Sequence, residues 1–181
     1  MTSYEMDAEW CVAEGADVVL DAQYLHCVVF KELGKENYHT FSDFLNQDKM
    51  QVEDFLYQED LTLIGHNILN ADFEVFRRLL DMPFTVGPDT LMGKPCTFID
   101  TYTMSKRNNP DRSAAYLWDS KLKKNVSLGI HGLDAWGKRV GIPKPKVTDW
   151  STQPKEVYLN RCSEDVKINE LAYYAMLEEM L

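Results

Sequence analysis

The sequence predicts an α/β fold built on a mixed sheet, and three stretches carry that expectation. Its opening reads as a run of neighbouring strands, Leu61 to Ile64 is short and wholly apolar as in a buried central parallel strand, and amphipathic helices follow. At 181 residues the chain suits one domain, residues 1–181, with a sizeable core.

Ser3 to Glu9 alternates Tyr4, Met6 and Ala8 with acids, which puts Asp7 and Glu9 on one side of a strand. Two carboxylates on one face repel unless a cation lies between them, so they form a candidate platform for a hard divalent ion. An exposed polar strand face has the same pattern, and the dipeptide spacing alone does not separate the two. Cys11 to Tyr24 reads as loop, Leu25 to Lys31 as a β-branched strand, and Tyr38 to Phe41 as a third strand after the Gly34-Lys35 turn. Ser42 is expected to cap a helix from Asp43 to Tyr57 whose apolar positions are Phe44, Leu45, Val52, Phe55 and Leu56. Gly65-His66-Asn67 then ends the central strand, and Asp72 to Leu80 resumes as helix with Phe73, Phe76, Leu79 and Leu80 inward. Open α/β sheets place their sites at such polar turns.

Pro83 to Pro95 reads as loop and Thr97 to Ile99 as a short strand, with Asp100 or Thr101 capping a helix through Met104. Lys106 to Lys124 mixes basic residues with Tyr116 and Trp118, a composition that suits either a polynucleotide contact or an ordinary surface loop. Gly132 to Val140 reads as a helix with Gly141 as its left-handed cap. The last helix is expected from Pro154 to Met180, with Val157, Tyr158, Cys162, Val166, Leu171, Ala172, Ala175 and Met176 inward. Asp165 falls within that inward face, where an unpaired carboxylate is costly.

The net charge of −10 weighs against a polyanionic partner, but its distribution does not. Lys94 to Lys155 holds 12 Lys or Arg against 5 Asp or Glu, so a basic segment accompanies an acidic body. Cys11, Cys27, Cys96 and Cys162 form no Cys-x-x-Cys pair and read as buried thiols. No run reaches the roughly 18 to 20 apolar residues of a membrane span, and the amino terminus lacks a signal-like pattern. A soluble, cytoplasmic protein is expected.

If Asp7, Glu9, Asp72 and Asp165 converge, they suit two divalent ions about 3.5–4 Å apart, an arrangement that cleaves phosphodiesters by stabilising attacking and leaving oxygens. Asp7-Ala8-Glu9, Gly65-His66-Asn67 with Asp72, and Asp165-Val166 together resemble the three motifs of the DEDD, or DnaQ-like, 3′–5′ exonucleases. Phe98-Ile99-Asp100-Thr101 and the run from His131 to Gly141, with its Ala135-Trp136-Gly137 core, are more narrowly similar to the proofreading domain of phage-type family A DNA polymerases. The resemblance spans essentially the whole chain. It implies a ribonuclease H-like fold with a mixed five-stranded sheet flanked by helices. It also implies two Mg²⁺ or Mn²⁺ ions held by Asp7, Glu9, Asp72 and Asp165, acting at the 3′ end of single-stranded or frayed DNA, alone or beside a DNA polymerase. If the chain is of phage origin, the compartment is the host cytoplasm.

One departure stands out. The family places a tyrosine four residues, or a histidine five residues, before the last aspartate, where this chain has Arg161 and Asn160. Tyr158, two turns back, and Arg161, as a phosphate-holding cation, are the candidates for the missing role. His66, Asn67, Trp10, Lys138 and Arg139 are the candidate substrate contacts. An RNA-cleaving relative and a non-catalytic module that binds DNA or a polymerase are the competing readings.

Overall fold

The computed structural model describes residues 2–12, 16–44, 48–80 and 90–181. Its strands are β1 (Thr2–Cys11), β2 (Tyr24–Glu32), β3 (Tyr38–Phe41), β4 (Leu61–Gly65), β5 (Thr90–Leu91), β6 (Lys94–Asp100), β7 (Ala115–Asp119) and β8 (Lys124–Gly129). Its helices are α1 (Asp48–Leu56), α2 (Asp72–Leu79), α3 (Thr101–Asn108), α4 (Leu133–Val140) and α5 (Lys155–Glu178).

The sheet runs β3-β2-β1-β4-β6-β5, with β1–β2 and β2–β3 antiparallel and β1–β4 and β4–β6 parallel. The mixed sheet is therefore the expected one, widened from five strands to six by the two-residue β5. Pleating decides what each side of the sheet buries. Val28 and Phe30 of β2, with Tyr4, Met6 and Ala8 of β1, pack on the side of α1 and α2 against Val52, Leu56, Phe73 and Phe76. Cys27 and Val29 face Tyr158, Cys162 and Val166 of α5. The acids that alternate with Met6 and Ala8 in β1 thus lie on the α5 side.

Several boundaries differ from the sequence reading. Ser42 does not cap α1; instead the Asp48 carboxylate accepts from the backbone N–H groups of Ser42 and Asp43, so the helix starts later. Leu45, residues 13–15 of the first expected loop and residues 83–89 of the loop expected from Pro83 to Pro95 lie outside the described residues. The end of that loop is a tight hairpin, since Met92 and Gly93 both take positive φ, the geometry that suits a two-residue turn between β5 and β6. The segment from Lys106 begins as helix, which runs to Asn108, and continues into the two-stranded β7–β8 ribbon. Leu171 is exposed and Ile168 takes an inward place, because five residues beyond Val166 is roughly 140° around the helix. All four cysteines are buried and free. Among the described residues no helix is long and apolar enough to cross a membrane.

Gly137 lets α4 and α5 approach. A Cβ there would sit 2.6 Å from the Ile142 carbonyl oxygen and 3.2 Å from Ile168 Cδ1, and Gly141 ends the helix at φ 83°. Alanine gains about 1 kcal/mol in helix propensity, but the steric clash is with backbone and is expected to win. Gly137→Ala should cost a net 1–3 kcal/mol, roughly, read as a lower urea midpoint at unchanged slope. A raised midpoint would show that the Ile142 carbonyl and Ile168 do not approach Gly137 this closely.

Candidate active site

The free edge of β1 creates the site. β4 pairs with β1 only from Thr2 to Glu5 and then ends at Gly65, so the backbone of β1 beyond that point has no paired strand on this side among the described residues. A Cβ on Gly65 would fall 2.8 Å from Ile68, and Asn67 takes φ 63°, so the chain turns sharply into α2. That turn delivers Asp72, whose Oδ1 accepts from the Ala8 N–H at 3.1 Å. A side chain thereby satisfies a donor that a longer β4 would have satisfied. A register shift between Glu9 and Trp10 bends β1 at the same place.

Carboxylate oxygens of Asp7, Glu9 and Asp165 lie within 4.8 Å of one another, and Asp72 lines the same cavity of about 270 Å³. Asp165 is reached because α5 packs across β1, with the Cys162 thiol donating to the Asp7 carbonyl at 3.1 Å. Asp7 Oδ2 and Asp165 Oδ1 are buried with no hydrogen-bond partner among the described residues.

Such crowding shifts every acid toward its neutral form. Burial first, then the charges of Asp165, Glu9 and Asp72, hold the Asp7 carboxyl well above its ordinary range. Burial and the Asp165 charge push Glu9 up to about 8, and burial carries Asp72 to about 7 against the pull of its backbone hydrogen bonds. Asp165 is also raised by burial, although Lys144 and Arg161 oppose this.

Those two cations are the counter-charges in the cluster. Lys144 Nζ lies 2.7 Å from Asp165 Oδ2, while Arg161 Nε lies 3.0 Å from the same oxygen and 3.3 Å from Glu9 Oε1. Burial alone would lower Lys144, but Asp165 and Asp7 outweigh it and keep the ammonium charged. Lys144 sits in an irregular stretch between α4 and α5 and carries no local sequence signal. Only the fold brings it here.

His66 also lines the cavity, and a buried chain of polar groups fixes its tautomer. Asn169 Nδ2 donates to the Glu5 carboxylate, so its Oδ1 faces Thr101, whose hydroxyl donates to it at 2.5 Å. Thr101 has one proton, and it is spent there. His66 Nδ1, 3.0 Å from Thr101 Oγ1, must then be the donor, leaving Nε2 as an acceptor that is buried and has no partner among the described residues. Burial, then the charges of Lys144 and His131, lower the imidazole to about 3, so it stays neutral. Glu5 continues the Asp7 and Glu9 alternation and was legible in principle; Thr101 and Asn169 were not, because small polar residues near helix starts and on helix faces have many commoner uses.

The other expected site residues divide. Trp10 lines the cavity, with its indole N–H given to the Val18 carbonyl at 2.5 Å. Asn67 shapes the turn, its Oδ1 accepting from Asn70 Nδ2. Tyr158 is not brought to the carboxylates. Its hydroxyl donates to the Asp149 carbonyl and accepts from the Gln153 N–H, and its ring stacks on His26 at 3.7 Å. Helical side chains lean toward the amino terminus, which carries it away from Asp165. Arg161 pairs with the cluster, but Lys144 is the cation that lines the cavity. Arg139 turns to the Ser113 carbonyl at 2.7 Å and lies over the Trp136 ring, away from the site. Lys138 is exposed and lines a neighbouring groove.

Neither a protein-family model nor a curated protein matches the sequence. Solved structures do match in fold. The exonuclease domain of Aedes aegypti Nibbler aligns over 98% of this chain and 78% of its own, with TM-score 0.61 at 12% identity. A zinc-bound complex of Escherichia coli exonuclease I with single-stranded DNA aligns over 98% of this chain and 42% of its own, with TM-score 0.53 at 12% identity. E. coli RNase D, an exoribonuclease involved in structured RNA processing, aligns over 98% and 38%, with TM-score 0.52 at 14% identity. The chain thus spans about two fifths of the length of exonuclease I and of RNase D. It has the α/β fold of these exonucleases, a mixed sheet flanked by helices with an acidic cluster suited to a metal ion.

Proposed function

We propose that residues 1–181 act as one metal-dependent 3′–5′ exonuclease domain, hydrolysing phosphodiesters at single-stranded or frayed DNA 3′ ends in the manner of a proofreading enzyme beside a polymerase. The observation that carries this reading is the convergence of Asp7, Glu9, Asp165 and Asp72 on one small cavity of an exonuclease fold. The donor set fits a hard divalent cation, since two buried carboxylate oxygens have no hydrogen-bond partner among the described residues and all four acids carry raised pKa values. Asp7, Glu9, Asp72 and Asp165 would hold two Mg²⁺ or Mn²⁺ ions. When bound, such ions stabilise charge on the attacking and leaving oxygens.

The protein's own groups do the rest. Ala8 N–H orients Asp72, and Arg161 orients Asp165 and Glu9. Lys144, lining the cavity beside Asp165, is the cation placed to meet a phosphate. His66 Nε2 can accept a proton-bearing group of the terminal sugar or of a water. No tyrosine or histidine takes the position one turn before Asp165, so Arg161 stands there without a general base.

Release of nucleotides from a 3′-labelled single-stranded DNA with Mg²⁺ or Mn²⁺, and its loss in chelator, is the expected result. A wild-type protein silent with both metals would reject the reading in favour of a non-catalytic binding module. Matched DNA and RNA strands decide the substrate, because the 2′-hydroxyl is what separates them. The RNase D likeness is the observation that favours RNA as the second reading.

A further inference from the structure

A second depression, of about 660 Å³, opens between the β7–β8 ribbon and α4. Leu117, Val126 and Leu128, which share one face of the ribbon, form its apolar wall, Trp118 adds to its lining, and Lys121, Lys138, Lys144 and Lys146 edge it. Trp118 is 59% exposed, which is unusual for an indole that a fold has no need to display. Two acids also line the groove, Asp119 and Asp134. Asp119 is occupied within its own turn, accepting from the N–H groups of Lys121 and Leu122 at 2.8 and 2.9 Å. Lys144 is already paired with Asp165, so the other three lysines against the two acids leave one net positive charge beside an exposed aromatic face, on a protein whose net charge is −10.

Lys144 joins this groove to the carboxylate cavity, because it lines both. A chain of phosphates leaving the cavity past Lys144 would meet the lysines of the groove.

We propose that the groove binds the single-stranded polynucleotide behind its 3′ end, stacking a base on Trp118 and placing backbone phosphates beside Lys121 and Lys146. This rests on the exonuclease reading and extends it to substrate length. Stacking on an aromatic ring tolerates any base and either sugar, whereas an acidic protein partner would satisfy the lysines but leave no role for the exposed indole.

The test measures binding apart from chemistry. Fluorescence anisotropy of labelled 15-mers, dT in one arm and rU in the other, is followed in chelator with wild type, Trp118→Leu and Lys121→Gln/Lys146→Gln. Trp118→Leu is expected to weaken binding in at least one arm by roughly 5- to 150-fold, the value of one stacked base. The lysine pair is expected to flatten the slope of log affinity against log salt by about 1.4, from roughly 0.7 per phosphate contact. Turnover of the p-nitrophenyl ester of thymidine 5′-monophosphate, which has no second nucleotide to extend into the groove, should stay at the wild-type rate in both variants. Unchanged 15-mer affinity and salt slope in both arms would overturn the proposal. A wild type that binds with this pattern yet releases no nucleotide would instead reject the exonuclease reading and leave the groove standing.

Discussion

Asp7→Asn is expected to reduce metal-dependent nucleotide release by roughly 10³-fold or more, since several kcal/mol of charge stabilisation depend on the ions this carboxylate helps to hold. The same substitution is expected to raise the melting temperature of the metal-free protein at pH 8. Asp7 keeps one oxygen buried and without a hydrogen-bond partner among the described residues, and its carboxylate lies beside those of Glu9 and Asp165. A carboxyl whose folded pKa is raised contributes stability that is full below its unfolded value of about 4 and is lost as pH climbs through the folded value. With Asp72 at about 7 and Glu9 at about 8, that loss extends up to pH 8 in this cluster. Asparagine removes one repelling charge. A relief of about 1–2 kcal/mol corresponds to a rise of roughly 2–8 °C for a chain of this length. Melts in chelator at pH 5 and pH 8 check this, and the rise should shrink at pH 5, because lower pH favours the neutral form of a carboxyl whose pKa burial and its acidic neighbours raise. Full activity, or a lower melting temperature at pH 8, would show that Asp7 is not a member of a repelling metal-binding set.

Lys144→Met tests the opposite charge. The ammonium lies 2.7 Å from Asp165, whose side chain is only 1% exposed. Removing one member of a buried pair commonly costs about 3–5 kcal/mol, but Arg161 still faces Asp165, so about 1–3 kcal/mol is expected at pH 8. That is a melting-temperature drop of roughly 2–12 °C in chelator. The sign with pH follows from Asp165, whose raised pKa rises further without Lys144. Protonation then relieves the unpaired charge, so the drop should narrow toward pH 5. Saturating Mg²⁺ should also narrow it, because an ion bound by the acids replaces the lost cation, and ligands that bind only the folded state stabilise it. A drop of equal size at both pH values and with Mg²⁺ would mean that Lys144 acts by packing alone.

The features legible in the sequence were those set by local period. Alternation in β1 placed Asp7 and Glu9 on one face, the apolar run of β4 marked the central strand, and the helical stripe of α5 turned Asp165 inward. The Leu171 error arose because an apolar residue at the margin of a stripe is compatible with either side. The β8 strand went unseen because Lys124–Gly129 is a short, mostly exposed strand whose alternation rests on two half-buried residues, Val126 and Leu128, too few to mark a period.

By itself, then, the sequence determined the fold class, the central strand and the four acids, because repeats of two and 3.6 residues are written into neighbouring positions. Only the tertiary structure decided what surrounds those acids. Lys144 against Asp165, the Glu5–Asn169–Thr101–His66 chain, the Tyr158 hydroxyl turned to Asp149, and the groove beneath Trp118 all join residues distant in sequence. Desolvation and charge pairing depend on distances in space, and no local pattern encodes these.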